Sequence, residues 1–247
     1  MASTLLEVSV STSTTAAPAS PGIATTAQFW ELLWRTAGLQ AAGLLVLAYF
    51  VYGDQPHVGA SAEALIAFYQ AERMRILVAA VLGGFAVLNL MWFAAALRTT
   101  LAQAGRDGWG AAATAASAAL GGVLVLLITL SASLAYSVAG SSNPAFLLVG
   151  LNEVAWAGVV VSSFPRAMLI MSAAFGLWRA GLISNRLFAV GVAAVVLALA
   201  GGTTWASGGF WAPDGVYSRL ICPLVGLAWL VVVSRVLLSR PATQVGW

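Results

Sequence analysis

The sequence of 247 residues contains no lysine, one histidine and one cysteine. Because Cys222 is alone, no disulfide can form within the chain. His57 and Cys222 are also too few to supply the usual ligand sets of zinc or haem. We therefore expect no metal and no cofactor.

Charge is scarce as well, since 8% of the residues are charged and 61% are hydrophobic. Soluble domains carry about 25% charged residues, so this chain has too little polar surface to coat a globule in water. Its net charge is +3, but the arginines stand singly at the ends of apolar runs and form no basic run that would bind a phosphate backbone. We expect the lipid bilayer as a partner and no nucleic acid.

Six apolar segments approach or exceed the length of about 20 residues that a helix needs to cross hydrocarbon. They predict an all-α, polytopic transmembrane bundle covering residues 29–240. The predicted spans are 32–53, 76–97, 113–137, 153–178, 187–205 and 220–238. Residues 1–28, rich in Ser, Thr, Ala and Pro, predict a disordered tail, and residues 241–247 a short second tail.

The arginines predict the orientation. With the N-terminus inside, the inner side receives Arg35, Arg98, Arg106, Arg179, Arg186, Arg235 and Arg240. The outer side receives only Arg73, Arg75 and Arg219. Because excess Lys and Arg in short loops marks the cytoplasmic face, we expect both termini and both tails in the cytoplasm.

The outer loop after the first span predicts a short amphipathic helix at residues 61–73. Ser61 can cap it, and Glu63 lies in its first turn, where a carboxylate suits the helix dipole. Leu65, Phe68 and Tyr69 fall on one face. We expect this helix to lie on the outer surface.

The fourth apolar segment allows two geometries. As one helix, residues 146–178 would be about 50 Å long. Either the span is 153–178, kinked at Pro165, with Arg166 at mid-membrane, or the span is 147–164 and ends at "FPR". In the second case Arg166 lies at the inner surface and 167–178 form a short interfacial or re-entrant helix. We favour the kinked span, because neighbours in a membrane bundle can satisfy the carbonyl that proline frees.

Arg166 is the most informative polar residue. An arginine at mid-membrane costs at least about 2.5–3.5 kcal/mol on insertion scales and must pair with something. The candidate partners are Asn89 on the second span and Ser162 one turn earlier. The arginine would then be either a contact for an anion or substrate, or a structural peg in the bundle, which is the commoner case.

Other polar residues in the spans have similar alternatives. Glu153, next to Asn152, is either a proton-coupling group with a raised pKa or the partner of Arg75 or Arg219 at the outer rim. Thr129 and Ser133 recur every four residues on the third span, followed by Ser137. Such a stripe lines a polar path or, more commonly, makes hydrogen bonds between helices.

The order of several motifs resembles a known family. An amphipathic "AExLxxFY" at 62–69 is followed by "RMRILVAA" at 73–80 and "MWFAAALR" at 91–98. "FGLWRAGLISNRLFAVG" at 175–191 joins the fourth and fifth spans. Together these resemble a family of small bacterial six-helix membrane proteins classed as a domain of unknown function. The resemblance implies a multi-pass protein of the bacterial inner membrane and supplies no activity or catalytic residues.

No nucleophile–base pair, glycine-rich phosphate loop or metal-ligand spacing occurs. We therefore expect a non-enzymatic accessory, structural or regulatory membrane protein, for which a membrane-protein partner and a homo-oligomer are both open alternatives. The alternative is a small transporter or permease that uses Arg166 and Glu153. A cavity reaching both residues would favour transport, whereas a close-packed bundle with Arg166 held by Asn89 or a carbonyl would favour the structural role.

Overall fold

The chain is helical throughout the part that the structure describes. The structure is a computed structural model and describes residues 33–138 and 145–239. Within these ranges the regular elements are α-helices and short π-helical segments, and no strand occurs there. The two predicted tails, residues 1–28 and 241–247, lie outside the described residues.

The helices follow one another with short connections. Those that lie wholly within the described ranges are α1 Ala37–Tyr52, α2 Ala62–Ala71, α3 Arg73–Gln103, α4 Asp107–Ser133, α5 Ala145–Val161, α6 Ser163–Arg179, α7 Asn185–Gly201 and α8 Cys222–Leu238. Two π-helical segments adjoin them: π1, Leu134–Val138, continues α4, and π2, Tyr217–Ile221, leads into α8.

Four helical stretches are long and apolar enough to cross a membrane: Arg73–Gln103, Asp107–Tyr136, Phe146–Arg179 and Tyr217–Leu238. They contain the second, fourth and sixth predicted spans and all of the third except its last residue, 137. The first and fifth predicted spans correspond to the shorter apolar helices α1 and α7, of 16 and 17 residues. The fifth was predicted too long at its end, because α7 stops at Gly201, where the hydroxyls of Thr203 and Thr204 donate to the carbonyls of Ala200 and Gly201.

The bundle has two distinct ends. At one end, here named the loop end, lie the segments 53–61 and 202–216, and His57 Nδ1 is 2.9 Å from Asp214 Oδ2. At the other, here named the arginine end, Arg106 Nε donates to the carbonyl of Arg179 at 3.2 Å. Between the two ends, α1, α3, α4, α6, α7 and α8 bury the main apolar core.

Helix α2 forms where the sequence suggested an amphipathic helix, and the hydroxyl of Ser61 caps it by accepting from the amide of Ala64 at 3.3 Å. Its apolar face is not spread on a surface. Leu65 and Tyr69 are fully buried, in a second cluster that contains residues of α3, π1 and α5. The helix therefore packs as part of the bundle at the loop end. Hydrogen bonds from its own backbone and from Ser61 lower the pKa of the exposed Glu63.

Candidate functional site

Helices α5 and α6 form one nearly continuous helix. Only Ser162 separates them, and the backbone hydrogen bonds continue across it, from Ser162 N to Gly158 O at 2.9 Å and from Arg166 N to Ser162 O at 3.2 Å. The stretch Phe146–Arg179 therefore runs for 34 residues. The helix therefore continues through Pro165, as the first of the two expected geometries requires, and does not end at "FPR" as in the second.

The guanidinium of Arg166 lies between helices and makes two hydrogen bonds. Nη2 donates to Ser162 Oγ at 3.0 Å, and Nη1 donates to Cys222 Sγ at 2.8 Å. The Ser162 contact is the one expected from the sequence. Asn89 makes no such contact, because its side chain donates to the carbonyl of Phe85 on its own helix at 2.9 Å. Cys222, at the start of α8, was not anticipated as a partner.

Arg166 has no carboxylate counter-ion among the described residues. The chain has eight acidic residues, of which Glu7 and Glu31 lie outside the described ranges. Each of the other six contacts something else: Asp54 contacts Arg219, Glu63 its own backbone and Ser61, Glu72 contacts Arg75, Asp107 contacts Arg98, Glu153 the amide of Gly59, and Asp214 contacts His57 and the amide of Val58. Within the described ranges Arg166 therefore bonds the side chains of Ser162 and Cys222 and no carboxylate.

Arg166 lines a cleft with a volume of about 440 Å³. Its walls come from α1, α3, α4, the α5–α6 helix and the π2–α8 helix, and most of the lining side chains are apolar. Besides two tyrosines, the polar side chains in the walls are those of Gln55, Ser131, Ser162, Arg166, Ser218 and Arg219. An apolar pocket with a few convergent polar groups is the usual form of a small-molecule site.

The cleft opens sideways between α1 and α8. At the arginine end the two helices are in contact, and Gly38 faces the hydroxyl of Ser234 so closely that a β-carbon would overlap it. At the loop end, Arg219 Nη2 and Asp54 Oδ1 are 3.2 Å apart. Between these two contacts the rim side chains face outward, since Phe50 is 71% and Leu224 50% exposed. The cleft therefore communicates with the surroundings of the bundle along its flank.

Glu153 and Asn152 are not part of this cleft, whose lining does not include them. Glu153 Oε1 accepts a hydrogen bond from the amide of Gly59 at 2.8 Å, and Asn152 Nδ2 donates to the carbonyl of His57 at 3.4 Å. Both side chains thus hold the loop 53–61. The expected rim pairing was wrong, because Arg75 pairs with Glu72 and Arg219 with Asp54.

The Thr129 and Ser133 stripe also lies away from the cleft. Both side chains are exposed, and neither lines the cavity. The α4 serine that lines it is Ser131, whose Oγ is 3.5 Å from the hydroxyl of Tyr52. The side chain of Ser137 lies outside the described set. The four-residue spacing identified a polar face of α4, but not the face that turns inward.

Comparison of the chain with protein-family models, with curated proteins and with solved structures gives no match. The family resemblance of its motifs therefore stays a prediction. The features of the described residues that bear on function are Arg166 and the cleft that it lines.

Proposed function

We propose that this chain is a non-enzymatic integral membrane protein that binds an amphipathic anion in the cleft between α1 and α8. The anionic group of the ligand pairs with Arg166, and its apolar part fills the cleft. Binding of this kind suits an accessory or regulatory component of a membrane, which is the role expected from the sequence.

The observation that carries the proposal is the unpaired charge of Arg166. Guanidinium stays protonated at every physiological pH, and a charge held in apolar surroundings is stable only when it is paired. The six described carboxylates are engaged elsewhere, whereas the cleft gives access to the guanidinium. A ligand anion therefore supplies what the described part of the chain does not.

The proposed topology has six spans, with both termini in the cytoplasm of a bacterial inner membrane. The short helices α1 and α7 support six crossings because each extends from the arginine end to the loop end. Gly38 of α1 meets Ser234 at the arginine end, and Asn185 at the start of α7 accepts from Trp178 there at 2.8 Å. Since Lys and Arg mark the cytoplasmic side, the arginine end faces inward.

Cysteine labelling tests this topology, since the native Cys222 is buried. Ser207 and Gln103 are exposed residues at the loop end and the arginine end. In intact cells a membrane-impermeant maleimide should label Ser207→Cys and spare Gln103→Cys. Labelling of Gln103→Cys alone would reverse the orientation, and labelling of both would contradict the six crossings.

Transport by a relay of Arg166 and Glu153 receives less support. A relay needs a path that reaches both groups, and the cleft is lined by Arg166 but not by Glu153. Glu153 instead accepts from the backbone of the loop 53–61. Binding of an anion at Arg166 therefore accounts for the geometry better than the movement of a substrate past both residues.

The binding proposal is tested with dodecyl phosphate and the uncharged dodecanol, added to the full chain purified in maltoside micelles. A ligand at 100 times its Kd stabilises a protein by about 2.7 kcal/mol. We expect dodecyl phosphate to raise the Tm of the wild type and dodecanol to leave it nearly unchanged. The increase should be lost in Arg166→Leu.

Arg235→Leu is the matched control. It removes the same charge from an exposed position on α8 at the arginine end, so the stabilisation by dodecyl phosphate should persist. Equal stabilisation of the wild type and Arg166→Leu would show that the phosphate binds elsewhere and would overturn the proposal.

A further inference from the structure

We infer that the ligand is an anionic glycerophospholipid from the leaflet at the loop end, with its phosphate at Arg166 and Arg219 and one acyl chain in the cleft. The inference rests on the proposed binding function and assigns its ligand. Three properties of the cleft support it: the depth of the two arginines, the length of the apolar part, and the charge available at the loop end.

The two arginines lie at a similar depth along the cleft. The Arg166 guanidinium bonds Cys222, the first residue of α8. Arg219 is three residues earlier, which is about 4.5 Å along a helix, and both side chains line the cleft. The loop 202–216 lies immediately before this turn. Both charges are thus at the loop end of the cleft, nearer to the headgroups of that leaflet than the centre of the cleft is.

The apolar part of the cleft extends through much of one leaflet. From Cys222, beside Arg166, to Leu230, the last residue of α8 that lines the cleft, there are eight residues, or about 12 Å of helix. Hydrocarbon is about 30 Å thick, so one leaflet contributes about half of that. Leu90, Phe93 and Leu230 line this stretch. The cleft therefore has room for most of the length of one acyl chain below one headgroup.

The arginines at this end of the cleft are available to an anion. Among the described residues Arg219 pairs with the fully exposed side chain of Asp54 and lies 6.0 Å over the ring of Trp156. Exposed ion pairs of this kind contribute at most about 1 kcal/mol. A phosphate can therefore share Arg219 with Asp54, or displace Asp54 from Arg219, at little cost in free energy. Arg166 pairs with no carboxylate in the part of the chain that the structure describes, and a guanidinium presents paired donors that match phosphate oxygens. The exposed rim at Val46 and Phe50 leaves room for the second chain.

Tryptophans make the inference measurable, because Trp156 and Trp229 line the cleft and are at least 95% buried. The full chain is reconstituted in phosphatidylcholine vesicles, and its fluorescence is quenched by dibrominated phosphatidylglycerol or dibrominated phosphatidylcholine. We expect phosphatidylglycerol to bind at least about tenfold more tightly, the effect of one hydrogen bond to a charged group. The preference should fall to near one in Arg166→Gln, drop severalfold in Arg219→Gln and persist in Arg235→Gln.

A second variant covers the case in which Arg166→Gln does not fold. Leu227→Phe narrows the apolar part of the cleft and leaves both arginines in place, so it should weaken quenching by both lipids. A preference near one in the wild type, or one that Arg166→Gln leaves intact, would identify ordinary boundary lipid and overturn the inference. If dodecyl phosphate still stabilises the wild type through Arg166, the binding function stands and only the phospholipid assignment fails.

Discussion

A glycine on α8 makes room for the side chain of Arg166. A β-carbon at Gly226 would lie 2.8 Å from Arg166 Cδ and 3.3 Å from its Cγ. The arginine therefore lies flat against α8 and extends to Cys222, one turn earlier. Gly226 also lines the cleft, so its missing side chain sets both the path of the arginine and the width of the site.

Gly226→Ala should weaken binding of the anion while the fold persists. The new methyl displaces a flexible side chain, and overpacking of this kind costs about 1–3 kcal/mol. We expect the stabilisation by dodecyl phosphate to fall severalfold. The control is Gly122→Ala, since nothing lies within 4 Å of a β-carbon there. If both variants retain wild-type binding, the close approach of Gly226 does not position Arg166.

Arg166→Leu should stabilise the protein when no anion is present. The substitution leaves no polar neighbour unpartnered, because Ser162 Oγ still donates to Val159 O at 2.6 Å and Cys222 Sγ still lies 3.5 Å from Ser163 Oγ. It also removes a charge that costs about 2.5–3.5 kcal/mol inside a membrane.

We expect a gain of about 2 kcal/mol in the free energy of unfolding, measured in maltoside free of anionic amphiphiles. Arg235→Leu, at an exposed position, should show no such gain. A clear loss of stability in Arg166→Leu would instead make the arginine the structural peg that the sequence also allowed.

Gly38→Ala should destabilise the bundle where α1 and α8 meet. The added β-carbon would overlap Ser234 Oγ and lie 2.6 Å from the ring of Phe93, at a cost of about 1–3 kcal/mol. Gly43, on the same helix, has nothing within 4 Å, so Gly43→Ala should be neutral or stabilising by up to about 1 kcal/mol. Thermal unfolding of both variants in detergent measures the difference, and equal values would contradict the tight contact.

Glu153→Gln should behave like the wild type, whereas Glu153→Ala should release the loop 53–61. The glutamine carbonyl can still accept from the amide of Gly59, and alanine cannot. Loss of one such bond corresponds to about tenfold faster hydrogen exchange at that amide. Exchange measured by mass spectrometry over residues 57–60 separates the two variants. If Gln behaves like Ala, the negative charge of Glu153, and not its hydrogen-bonding capacity alone, holds the amide of Gly59.

Much of the fold follows from composition and apolar length. Charge scarcity and uninterrupted apolar runs predicted an all-α chain, and four of the predicted spans lie in helices long and apolar enough to cross a membrane. Ser162 was predicted beside Arg166 because both residues are on one helix, four positions apart. Apolar length predicts a helical span, and residue spacing within one helix predicts which side chains lie next to each other.

Contacts between distant segments could not be predicted in the same way. Cys222 is 56 positions from Arg166, and nothing in the local pattern around either residue links them. Glu153 was expected to contact an arginine, but its carboxylate accepts a hydrogen bond from the backbone amide of Gly59 instead. Gly59 lies in a loop turn and has a φ of 77°. The cleft itself is lined by residues from α1, α3, α4, the α5–α6 helix and the π2–α8 helix, so its presence depends on packing between segments that are far apart in the sequence.

The unequal lengths of neighbouring helices have a consequence for the surrounding bilayer. Helix α7 has 17 residues, or about 26 Å, while the adjacent Phe146–Arg179 has 34, or about 51 Å. On the proposed topology both helices cross hydrocarbon of about 30 Å, for which the first is too short and the second too long. Hydrophobic mismatch of opposite sign on adjoining flanks would thin the lipid beside α7 and tilt its neighbour. The protein would then favour regions where membrane thickness changes over short distances.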